Sequence, residues 1–206
     1  MRDDPGRIPM VRWSCPQHAG RMSSPSRFAA LAAPLFLLTY GIFRYVDGRD
    51  GEHGPGVAWN VGHTFMLAAL LCFAAVIVGL RRAVREPSVR RASATTTMTV
   101  LGLVGAAAFV RVALGDLFPG ADGFLPLPGP LHDAGPLLLL LGLVGLMIDV
   151  AIHEPHRLPA WSPMAVVAGF AAVGANLDLL PLAAGLLLAG LMPLAGAPRL
   201  ERVPVS

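Results

Sequence analysis

The sequence predicts an all-α, polytopic integral membrane protein with six transmembrane helices arranged as three hairpins and both termini cytoplasmic. Three observations predict it. Hydrophobic residues make up 54% of the 206-residue chain and charged residues only 14%, where soluble domains carry about a quarter. The charges are not dispersed, but cut the chain into apolar blocks close to the ~20 residues that a helix needs to cross a bilayer. Arginine, finally, gathers in alternate gaps between the blocks, which is how cytoplasmic loops are marked.

The blocks are residues 28–46, 57–80, 97–114, 134–152, 160–175 and 179–197. Helix is the only open-ended structure that satisfies its own backbone hydrogen bonds in hydrocarbon, so each block reads as a spanning helix. The second block is the clearest, with no charge between Glu52 and Arg81. The last two are parted only by "ANLDLLP" and must turn tightly, with a re-entrant or shortened fifth segment as the alternative.

Residues 1–27 are polar and proline-bearing, without the apolar core of a signal peptide, and read as a disordered cytoplasmic tail. Met22 is a second plausible start of translation within that tail. Residues 28–197 form the transmembrane domain and 198–206 a short cytoplasmic tail.

Thirteen arginines fall on the predicted cytoplasmic side: Arg2, Arg7, Arg12, Arg21 and Arg27 before the first block, Arg81, Arg82, Arg85, Arg90 and Arg91 after the second, then Arg157, Arg199 and Arg202. The opposite loops hold Arg49 alone and are otherwise acidic. Trp59 and Trp161 stand at block edges on opposite sides, where interfacial aromatic residues belong, and Tyr45 lies at the outer end of the first helix. This segregation argues against nucleic acid as a partner despite the net charge of +3, because the arginines mark loops and do not form a basic surface. The expected environment is a lipid bilayer, the cytoplasmic membrane of a bacterial-type cell. Cys15 lies in the tail and Cys72 within an apolar block, so no disulfide framework is expected.

Offset by 69 residues, the chain aligns Asp47 with Asp116, Gly51 with Gly120 and His63 with His132, and "DLFP" at 116–119 is echoed by "DLLP" at 178–181. The pattern suggests three hairpins of one design, the third shortened and lacking the histidine. Small residues four apart offer close helix approach at Ala29 and Ala33, Gly102 and Ala106, Ala168 and Ala172, and Gly185 and Ala189. Leucine-rich faces, above all in the fourth helix, are expected to meet lipid.

The threading gathers Asn60, His63, Asp116, His132, Asp133, Asn176 and Asp178 near the outer ends of the helices. Arg111 lies just below them, fourteen residues into the third block. Asp116 is rotated ~140° from Arg111 on a straight helix, so Asp133 or Asp178 is the better expected partner, in an ion pair or a polar cavity. Asn60, three residues before His63, shares its face or caps the second helix. Arg44 reads as an interfacial anchor.

His63 and His132 open two helices on the same side. With Asp133 or another carboxylate they are candidate ligands of a divalent metal, or axial ligands of a haem held between two helices. Their plainer reading is as interfacial residues duplicated with the repeat. "DVAIHEPHR" places Asp149 and His153 on one helical face, a helix C-terminus more than a metal site, since Pro155 interrupts continuation and the HExxH spacing is absent.

No Walker A loop, dinucleotide fingerprint, GxSxG elbow or CxxC pair occurs, so enzymatic activity is not the expectation. The leading reading is a non-catalytic membrane component or scaffold that packs with membrane proteins or with copies of itself. A small-solute or ion transporter with an outward polar cavity at Asn60, Arg111, Asp116 and Asp178 is the second reading. A haem or metal redox protein is the third.

Overall fold

The computed structural model describes residues 22–51, 54–84, 88–118, 120, 126 and 128–196. The described residues are almost entirely helical and contain no strand. Six α-helices follow in order: α1 Ser24–Asp47, α2 Val57–Ala83, α3 Val89–Leu117, α4 Gly129–His153, α5 Trp161–Ala175 and α6 Leu180–Ala195. Short 3-10 turns, Gly48–Asp50 and Leu177–Leu179, lie after α1 and before α6.

Five helical segments are long and apolar enough to cross a membrane, the last being the 19-residue Leu177–Ala195. The fifth block is the short one. Its 15 residues reach ~22 Å at 1.5 Å per residue, less than a ~30 Å hydrocarbon core.

Contacts at opposite ends of each pair make neighbouring helices antiparallel. Gly62 of α2 lies beside Tyr40 and Phe43 near the end of α1, whereas Gly79 meets Ser26 near its start. Gly41 of α1 faces Leu180 at the start of α6, and Arg27 donates from Nε and Nη2 to the carbonyl of Ala195 at its end, at 3.1 and 2.7 Å. That arginine supplies the carbonyl-capping cation that a helix C-terminus favours.

Among the described residues α3 packs only on α2 and α4, while α2 holds the centre of the bundle. Phe73, Val76, Ile77 and Leu80 of α2 are all 2% exposed or less, and Phe73 reaches Phe170 of α5 across the interior. The outward faces carry Phe28, Leu35, Ile42, Leu71, Leu137 and Ile148. An apolar exterior around an apolar interior is the pattern of a bilayer-embedded bundle.

Close approach at glycine sets the tightest interface. On α3, Gly102 and Gly105 are buried against Gly135, Leu139 and Gly142 of α4. A Cβ on Gly105 would collide with the Leu139 backbone and lie 2.6 Å from the Gly135 carbonyl oxygen. A Cβ on Gly142 would collide with the Gly102 backbone. In lipid, where apolar side chains gain little by leaving the solvent, such backbone contact is what associates helices.

Two of the expected small-residue pairs are corrected. Ala168, Gly185 and Ala189 are exposed, and the α5–α6 contact instead uses Ser162, Val166 and Gly169 against Ala183, Leu187 and Gly190. The Ser162 hydroxyl donates to the Gly190 carbonyl. Both helices are apolar all round, so periodicity could not say which face turns inward. The leucines of α4 are corrected likewise: Leu139, Leu143 and Leu146 are fully buried, while Leu137 and Leu141 face outward.

Gly105→Ala and Gly142→Ala are expected to destabilise the fold by about 3 kcal/mol, since a backbone neighbour cannot move aside as a side chain can. Gly185→Ala, with nothing within 4 Å of the added carbon, should be neutral or stabilise by up to ~1 kcal/mol through helix propensity. Unfolding of detergent-solubilised protein would measure both, and equal effects at the two kinds of site would refute this assignment of the interface.

Candidate functional site

The carboxylates Asp47, Asp116, Asp133 and Asp178 collect at the end of the bundle where α1 and α3 finish and α2, α4 and α6 begin. Within that end one polar cluster is built across three helices. It consists of Tyr40, Arg44 and Asp47 on α1, Trp59 and His63 on α2, and Asp116 on α3.

His63 is its centre and is 3% exposed. Spacing on α2 makes the first contact, because residues four apart share a helical face. The His63 Nδ1 lies 2.9 Å from the Trp59 carbonyl oxygen, and the indole covers the imidazole with ring centroids 4.0 Å apart. Tyr40 meets the same imidazole edge-on at 5.3 Å. From α3, the Asp116 carboxylate approaches Nε2 at 3.5 Å, and its backbone carbonyl accepts the Trp59 indole N–H at 3.2 Å. Asp116 thus ties α3 to α2 twice.

The Trp59 carbonyl oxygen can only accept, so its contact is a hydrogen bond in the tautomer that carries its hydrogen on Nδ1. Nε2 is then left to the Asp116 side chain of α3.

Side chains fill the crevice around His63 and leave no room for a water molecule. The Arg44 Nε is buried there without a hydrogen-bond partner among the described residues. Asp47 accepts from the Gly54 backbone N–H at 3.3 Å, which holds the chain as it leaves α1.

The remaining expected site residues are placed differently. His132 pairs with its neighbour Asp133 at 3.1 Å, and both side chains are exposed, at 61% and 90%. The two histidines aligned by the repeat thus have separate partners, one buried and one on the rim. No three His, Cys, Asp or Glu residues stand where they could hold a metal ion, among the described residues. Asn60 is exposed, and its carbonyl accepts from the Thr64 hydroxyl, so it does not join the buried face of His63. The cap position of α2 belongs to Gly56. Asp178 is exposed, with its backbone N–H bound to the Asn176 side chain. Arg111 is half-buried on α3.

At the opposite end, Arg91 of α3 grips Asp149 of α4 with a forked pair, Nε to Oδ1 at 2.9 Å and Nη2 to Oδ2 at 2.7 Å. The two side chains are 11% and 16% exposed. His153 adds a contact to the Asp149 carbonyl at 2.8 Å. The sequence marks Asp149 and His153 as one face but treats Arg91 only as a topology signal. Trp59 and Arg44, read as interfacial anchors, likewise prove to belong to the cluster, and the four-residue spacings Trp59–His63 and Tyr40–Arg44 are the signal that could have found them.

No protein-family model matches the chain, and no curated protein or solved structure matches it significantly.

With Trp13 and Trp161 replaced by Phe, Trp59 emission becomes a reporter of the imidazole beneath it. Removing that ring in His63→Ala should change the intensity of Trp59 emission, and Asp116→Ala, which removes a carboxylate 3.5 Å from the imidazole, should lower the stability of the detergent-solubilised protein by about 1 kcal/mol. Emission unchanged in His63→Ala would show that the indole does not cover the imidazole.

Proposed function

We propose that this chain is a non-catalytic structural component of a cell's cytoplasmic membrane, crossing it as three helical hairpins, α1–α2, α3–α4 and α5–α6. Both termini lie on the cytoplasmic face. The end bearing Arg27, Arg81, Arg91 and Arg157 is assigned to that face because cytoplasmic loops retain arginine. The acidic end, with the His63 cluster, faces outward. The short α5 is accommodated by local thinning of the bilayer or by its turn toward α6 lying at the interface.

The observation that carries a structural role is how the polar side chains are spent. His63, Asp116 and Trp59 satisfy one another across helices, Arg91 and Asp149 do the same at the other end, and the crevice at the outer cluster is filled. A transporter or solute-binding protein needs intramembrane polar groups turned toward a cavity. Polar groups that clasp neighbouring helices instead support a stable scaffold.

The test uses single cysteines placed after Cys15→Ser and Cys72→Ser. In intact cells, Val57→Cys should react with a membrane-impermeant maleimide and Arg90→Cys only after permeabilisation; the reverse pattern would overturn the orientation. Mild-detergent purification after cross-linking should recover the chain in a defined complex with membrane proteins or with itself. A clean monomer would overturn the structural-component reading.

A further inference from the structure

The junction of α2 with α3 carries more positive charge than its surroundings neutralise. Between Glu52 and Asp116 the chain holds one carboxylate, Glu86, against Arg81, Arg82, Arg85, Arg90, Arg91 and Arg111. The carboxylates that α4 brings to this end are committed, Asp149 to Arg91 at 2.7 Å and Glu154 to Arg157 at 2.8 Å. Arg82, in the last turn of α2, and Arg90, in the first turn of α3, are both exposed. Neither makes an ion pair or a side-chain hydrogen bond among the described residues.

Helical spacing turns both of them outward. On α3 the exposed residues Arg90, Ser93, Thr97, Val100 and Val104 follow at intervals of three and four, which is one face of a helix. On α2 the exposed Leu71 and Arg82 flank the half-buried Val78 at intervals of seven and four. Each arginine therefore ends a stripe that faces away from the bundle. Length sets the depth: α2 has 27 residues and α3 has 29, ~40 and ~44 Å at 1.5 Å per residue, against a hydrocarbon core of ~30 Å. The excess falls at the arginine end, because α2 has no charge before Arg81 and the apolar stretch of α3 begins only at Thr97. Arg82 and Arg90 thus stand at the level of lipid headgroups.

The two side chains serve one neighbourhood. Arg81 donates from Nη2 to the Thr96 hydroxyl at 3.3 Å, which sets the end of α2 level with Thr96, six residues or ~9 Å along α3 from Arg90. Long flexible stems let two guanidiniums close that offset onto one anion. Their paired N–H donors match phosphate oxygens. A zwitterionic lipid sets its own cation beside its phosphate, so arginines without a carboxylate select a headgroup of net negative charge.

We propose that Arg82 and Arg90 hold the phosphate of an anionic phospholipid whose acyl chains lie along Val78, Val100 and Val104. The inference rests on the bilayer reading above and adds to it a lipid recognised where α2 passes into α3. Arg81 and Arg91 tie helices together, while their sequence neighbours Arg82 and Arg90 bind the lipid.

A fluorophore beside the site tests it, placed in full-length protein at Ser93→Cys after Cys15→Ser and Cys72→Ser. In phosphatidylcholine vesicles, doxyl-labelled phosphatidylglycerol should quench it with about 25-fold higher affinity than doxyl-labelled phosphatidylcholine, about five-fold for each arginine. Arg82→Gln and Arg90→Gln should each lower the preference about five-fold and together bring the lipids to parity. Arg49→Gln, exposed at the opposite end, should leave the preference unchanged. Selectivity that survives the double variant, or that Arg49→Gln also removes, would overturn the proposal. So would relief of the quenching by inorganic phosphate at an ionic strength matched with chloride, which would assign the arginines to a soluble anion. Protein that enters vesicles and shows no preference would overturn this proposal alone, whereas protein that stays outside them would defeat the bilayer reading as well.

Discussion

The bundle depends on backbone-to-backbone contact at glycine between α3 and α4. Where Gly102 and Gly105 meet Gly135 and Gly142, an added carbon would strike main-chain atoms, so the helices stand as close as their backbones allow. Helices in hydrocarbon cannot rely on apolar burial for association, and dispersion at close range takes its place. The same device recurs at lower intensity elsewhere: Gly41 admits Leu180, Gly79 admits Ser26, and Gly190 admits Val166 and the Ser162 carbonyl. Each of these pairs is thereby held at a separation that a methyl group on the glycine would disturb.

Polar clasps at the two ends use that proximity. Because α2 and α3 run antiparallel and close together, Asp116 at the end of α3 reaches Trp59 and His63 at the start of α2. For the same reason Arg91 at the start of α3 reaches Asp149 near the end of α4. Arg27 closes the ring by binding the last turn of α6. Between the two ends the interior is apolar, from Phe73 through Leu143 and Leu146. The clasps therefore join the helices at the two ends of the bundle, with an apolar interior between them.

Some of the outer end was legible and some was not. The 69-residue offset aligned Gly51 with Gly120, and these are the glycines with positive φ among the described residues, at 88° and 100°. Both follow a helix ending in an aspartate-bearing turn, so the alignment captured a shared backbone conformation that glycine adopts without strain. It could not capture the fate of the histidines. His63 is enclosed because α1 and α3 flank its helix face, whereas His132 opens a helix at the rim. Equivalent positions in a repeat acquire different surroundings when their neighbours differ.

Hydropathy and the spacing of charge determined the helical class, the number of apolar segments and the edges of most of them, because a bilayer imposes length and self-satisfied hydrogen bonds on any chain that enters it. Tertiary structure alone decided which face of each segment turns inward. Around α5 and α6 every position is apolar or small, so the pattern carries no direction, and the inward face is chosen by which side chains leave room for a neighbour's backbone. It also decided that Asp116 meets His63 and that Arg91 meets Asp149. Those pairings join residues 53 and 58 positions apart, and only the packing of whole helices brings such distant side chains within reach.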